Sequence, residues 1–87
     1  MNIELATAFV QATFERTAEL RPGNNDLADF IAFESGRLIM SDFSEEAIRS
    51  EVQRTIKPEQ VEMRETLTTE MLAIRTKALA ALQAAPA

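Results

Sequence analysis

Through the second half of the chain an apolar residue returns every three or four positions: Ile48, Val52, Ile56, Met63, Leu67, Met71, Ile74, Ala78 and Leu82. That is the period of one helix face that must be covered. It stays in phase across Pro58, with only Gln60 interrupting it. Two shorter helical patterns precede it. Over residues 3–20, Ile3, Ala6, Val10, Thr13/Phe14, Thr17 and Leu20 share a face that Leu5 and Phe9 widen. Asn2 is a good N-cap there, Glu4 suits the positive end of the helix dipole, and Pro22-Gly23-Asn24 stops the helix. A second helix starts near Asn24 or Asn25. Its apolar residues Leu27, Phe30, Ile31, Phe33, Leu38, Ile39 and Met40 wrap more than one side, so it reads as an element lying between others. Gly36 inside it marks a close helix crossing or a break, and the crossing is favoured.

Residues 41–44 read as a turn. Ser44 followed by Glu45 and Glu46 is a strong helix start, and Phe43 and Ile48 have the spacing of a hydrophobic staple. The third helix then carries Ala47, Ile48, Val52, Thr55 and Ile56. Pro58 either breaks the chain into a third and a fourth helix or kinks one long helix, and the break is favoured because proline disfavours a helical residue before it and fits the first turn of a new helix. The pattern predicts an all-α fold, a small bundle of three to four helices in one domain. Residues 1–43 form an aromatic-rich core holding all five Phe, residues 44–83 a long helical arm, and residues 84–87 a fraying tail.

Length then raises a question of cover. At 1.5 Å per residue the first two helices span ~25 Å and the last nearly ~40 Å. Shorter neighbours are therefore expected to leave part of the long face wet, and each Leu-sized side chain left exposed forfeits ~1.5–3 kcal/mol. A second copy or another protein is the simplest cover, which makes Met63, Leu67, Met71, Ile74, Ala78 and Leu82 the expected interaction face. Methionine at two of these positions suits a surface that adapts to a partner.

Composition narrows the function classes. The chain has 87 residues, no Cys, His, Trp or Tyr, and fourteen Ala. Without Cys there is no disulfide framework and no thiolate. Without His, the Ser and Thr hydroxyls lack their usual activating base, so no catalytic residue is expected. Glu59, Glu62 and Glu65 share a helix side, with Glu70 beyond them, but carboxylate metal sites in helical bundles are completed by His. These acids read as a solvated face, and neither metal nor cofactor is expected. The N-terminal stretch lacks a basic region and no apolar run approaches ~18 residues, so the expected setting is the cytoplasm, away from membranes. The formal net charge is −5, and its sign opposes direct binding to nucleic acid. A helix-turn-helix reading of residues 26–56 fails on the same ground, because Arg49, Arg54 and Lys57 are offset by Glu45, Glu46 and Glu51.

Glu34 is the odd residue. It falls on an otherwise apolar face with Leu27, Ile31 and Leu38, where a carboxylate is costly unless paired. Arg16, Arg37 and Arg75 are its candidate partners; otherwise its head reaches water at a rim.

The expected function is thus non-enzymatic: a protein–protein interaction, assembly or regulatory module acting as a homodimer or higher homo-oligomer. One alternative is a small acidic inhibitor that occludes a basic nucleic-acid-binding site on a target protein, using Glu15, Glu19, Asp26, Asp29, Glu34 and Asp42. Another is capture of a small anionic ligand between subunits by a clamp of Arg16, Arg21 and Arg37.

Overall fold

A computed structural model describes residues 2–84 as four helices: α1 (Ile3–Leu20), α2 (Asn25–Leu38), α3 (Glu45–Thr55) and α4 (Val61–Ala84). The fold is an all-α bundle. The predicted tail at residues 85–87 lies outside the described residues, while Ala84 is still helical.

The caps follow from the sequence. Asn2, Asn24 and Ser44 each accept a hydrogen bond from the backbone N–H three residues on, which satisfies a donor that a helix start otherwise leaves orphaned. Phe43 and Ile48 are both buried in the common core, and Phe43 adopts a positive φ of 56° at the bend that sends α3 back across the bundle. The Arg75 guanidinium donates to the Phe43 carbonyl at 2.9 Å and holds that bend against α4.

Pro58 breaks the chain. Lys57 to Gln60 form a turn closed by a 3.0 Å bond from Gln60 N–H to the Lys57 carbonyl, with proline at the second position, where its fixed φ is suited. Arg64 secures the junction. Its Nε donates to the Ile56 carbonyl at 2.7 Å and its Nη2 to the Gln53 carbonyl at 2.8 Å, meeting acceptors at the end of α3.

The projecting arm expected from helix length is absent. The radius of gyration is 12.7 Å, close to the about 12 Å of a compact chain of this size. α4 is the longest helix, but α1 and α3 run antiparallel to it on different flanks. Arg16 meets Glu70 and Glu15 meets Lys77 on one side; Arg64 reaches the end of α3 and Arg75 its start on the other. Several neighbours together cover what no single one spans. Leu67, Met71, Ile74 and Ala78 are buried in the chain's own core with Phe9, Ala12, Leu27, Ile31, Leu38, Ile48, Val52 and Ile56, and Met63 packs half-buried against it. Leu82 is half-buried.

The aromatic core is smaller than composition suggested. Phe9 and Phe43 stack with ring centroids 4.5 Å apart at its centre, whereas Phe14 and Phe33 are 68 % and 53 % exposed. The reason is rotation of α1: it buries Phe9, Ala12, Thr13 and Thr17, a face turned away from Ile3 and Phe14.

Candidate functional site

An apolar groove opens between α1 and α2. Val10, Thr13, Phe14 and Thr17 on α1 and Ala32, Ser35, Gly36 and Ile39 on and just after α2 line it, and its volume is about 200 Å³. Its polar floor is internally satisfied: the Thr13 and Ser35 hydroxyls share a hydrogen bond of 2.9 Å, and Thr13 also donates to the Phe9 carbonyl. Phe14 and Ile39, 68 % and 37 % exposed, are its exposed apolar walls, whereas Phe33 and the 84 %-exposed Met40 border other cavities of the surface. Ile3, on the first turn of α1, is also largely exposed. No lining residue carries a charge.

A more open cavity of about 470 Å³ lies where α2 meets the end of α3, lined by Asp26, Asp29, Phe30, Phe33 and Thr55. Near it is the least expected side chain of the fold. Glu34 is wholly buried, and neither carboxylate oxygen has a hydrogen-bond partner. Burial pushes its pKa above the ordinary 4.5; the Thr55 hydroxyl and Arg37 partly offset this, and Glu51 reinforces it. The rim position expected for it is therefore corrected. So is each candidate partner: Arg16 pairs with Glu70, Arg37 with Glu51, and Arg75 with the Phe43 carbonyl.

The other predicted residues are placed as follows. Arg16, Arg21 and Arg37 do not converge. Each is engaged by carboxylates of this chain, through Glu70 and Glu19, through Asp29, and through Glu51, respectively. The bond to Glu70 raises the pKa of Arg16, and the bond to Glu51 that of Arg37. The acidic set is also divided. Glu15 is held by Lys77, which lowers its pKa, and Asp42 is lowered by accepting from the Ser44 backbone. Glu19 and Asp29 are in ion pairs, and Glu34 is inside. Asp26 and Asp29 alone share a cavity. Among Met63, Leu67, Met71, Ile74, Ala78 and Leu82, four are core and two half-buried, so this face already has its cover. No helix among the described residues is long and apolar enough to cross a membrane.

No protein-family model, no curated protein and no solved structure matches the chain. The site is therefore argued from its own geometry. The sequence pattern puts Val10, Thr13/Phe14 and Thr17 on the α1 face expected to be covered and Gly36 at a helix crossing, and does not mark them as a free groove; the available signal is that α1 and α2 both carry apolar residues over a wider arc than one buried face needs, the surplus being Ile3, Val10, Phe14, Phe33, Ile39 and Met40.

Proposed function

We propose that this chain is a non-catalytic protein–protein interaction module whose working surface is the outward face of α1 and α2. The observation that supports this is the concentration of exposed apolar side chains there. Among the described residues, Ile3, Phe14, Phe33, Ile39 and Met40 are large exposed hydrophobics on these two helices or their ends, with Phe14 and Ile39 lining the groove itself, and Val61 is one on α4. A soluble protein rarely leaves such side chains grouped without using them. Phenylalanine beside a groove is a residue type that anchors interfaces, and the chain's ion pairs leave the groove free of charge.

The α4 stripe takes no part in this reading, because it is consumed by the fold. The module presents a rigid two-helix platform instead, with Thr13 and Ser35 bonded beneath it and Phe14 raised above.

Position-specific photo-crosslinking in the native cell tests the proposal. A benzophenone side chain placed at Phe14 or Ile39 should form protein adducts, whereas the same probe at Glu62 or Gln83, exposed on α4, should not. Equal yields at all four positions, or adducts at the α4 positions only, would contradict it.

A further inference from the structure

Glu34 is wholly buried on α2, and neither of its carboxylate oxygens is in a hydrogen bond. It lies toward the seam between α2 and α3. The cavity of about 470 Å³ on that seam has Asp26, Asp29, Phe30 and Phe33 of α2 on one side and Thr55, the last residue of α3, on the other. Thr55 also carries the hydroxyl that acts on the Glu34 carboxylate. The same side chain thus borders the buried acid and an open space.

The charges around Glu34 do not neutralise it. Glu51 on α3 repels its anion, and Arg37 on α2 attracts it, but the Arg37 Nε is committed to Glu51 at 2.7 Å. The side chains that α1 and α4 bury carry no charge. An anion in that position needs water, or a cation brought to it. The ties between helices decide where water enters. α3 is fastened to α4 at both ends: Arg64 donates to the Gln53 and Ile56 carbonyls, and Arg75 donates to the Phe43 carbonyl and lies 3.9 Å from Glu45. Among the described residues, the ion pair between α2 and α3 is Arg37–Glu51, with the Arg37 side chain 49 % exposed, and so open a pair contributes little.

We propose that the α2–α3 seam is a pH-driven switch: while Glu34 holds its proton the two helices stay closed over it, and when Glu34 ionises they part at the Thr55 end, so that water reaches the carboxylate through the widened cavity. Burial fixes the direction. The closed form binds the proton more tightly than an open, hydrated form, so acid favours closure and rising pH favours opening. One seam opens, and α3 stays fastened to α4.

The chain has no Cys, so a single introduced thiol reports its own accessibility. Val52, buried one turn before Thr55 on the same side of α3, and Gln53, exposed beside it, form the comparison. A methanethiosulfonate reagent is applied to Val52→Cys and Gln53→Cys at about pH 5 and about pH 8, and the ratio of the two labelling rates cancels the titration of the thiol itself. That ratio should rise at least about tenfold at the higher pH and stay level when Glu34→Gln is added. The same ratio for Ala78→Cys, wholly buried on α4, should not change. If Val52→Cys does not fold by circular dichroism, hydrogen exchange of the unmodified chain, read for residues 51–56 against Met71 and corrected for the intrinsic rate, gives the same comparison. Three results overturn the inference: a ratio that does not rise with pH, an equal rise in the Glu34→Gln background, or a parallel rise at Ala78→Cys, which would be unfolding of the whole molecule.

Discussion

A buried carboxylate destabilises the fold it sits in unless it is fully hydrogen-bonded, and the Glu34 carboxylate is buried with only the nearby Thr55 hydroxyl and Arg37 to offset the cost in part. The sign of its effect follows from its raised pKa. The folded state binds the Glu34 proton more tightly than the unfolded chain does, so this residue contributes stability that is fully present below its ordinary value of 4.5 and lost as pH rises through the folded value. Glu15 and Asp42, whose pKa values are lowered, act in the opposite sense and lose their contribution on acidification. Comparison with Glu34→Gln isolates the buried group. The variant should be more stable than the wild type at pH 7, with the gap closing as pH falls toward 4.5, and Glu34→Leu should gain about 1–3 kcal/mol at neutral pH. Urea titrations at four or five pH values measure this; a gap that does not vary with pH would show that the carboxyl is solvated, and one that widens on acidification that it is paired. The sequence marks Glu34 as anomalous, since one acid interrupts the Leu27–Ile31–Leu38 face. It does not reveal that Arg16, Arg37 and Arg75 are all drawn to other acceptors, because that depends on how three other segments meet α2.

At the level of elements, local chemistry made the helix starts legible: Asn2, Asn24 and Ser44 cap where their side chains predict, because a cap is decided within four residues. Pro58 was harder. An apolar stripe that keeps helical phase across a proline is compatible with a kinked rod or with two helices facing one core, and the choice falls to tertiary bonds. Arg64 supplies them by closing the carbonyls of Gln53 and Ile56. Arg64→Ala should therefore cost about 1–3 kcal/mol, since a charge-assisted bond to the part-buried Ile56 carbonyl and a second, exposed one to the Gln53 carbonyl are lost. Arg64→Lys should recover less than half of that, because an ammonium cannot span both acceptors as the planar fork does. Thermal unfolding with a matched urea series reads both variants; full recovery by lysine would mean that charge alone, and not the double cap, holds the α3–α4 junction.

For the whole molecule, the periodic face from Ile48 to Leu82 is a surface that requires cover, and most of it is covered inside the chain. Comparing α4 with each neighbour singly overlooks that α1 and α3 flank it together, and such a sum appears only when the chain is folded. The same packing turns Phe14, Phe33, Ile39 and Met40 outward, a result that periodicity cannot give when two helices carry more apolar residues than one buried face uses. The central claim is this exchange of roles: the α4 stripe is internal structure and the α1–α2 face is free. Urea denaturation of Met71→Ala and Phe14→Ala in dilute solution, at two protein concentrations tenfold apart, tests it most directly. Met71→Ala should cost about 2–5 kcal/mol at both concentrations, as a fully buried side chain does, and Phe14→Ala should change stability by no more than about 0.5 kcal/mol. A Met71→Ala cost that appears only at the higher concentration, or a Phe14→Ala loss as large as that of Met71→Ala, would contradict the account.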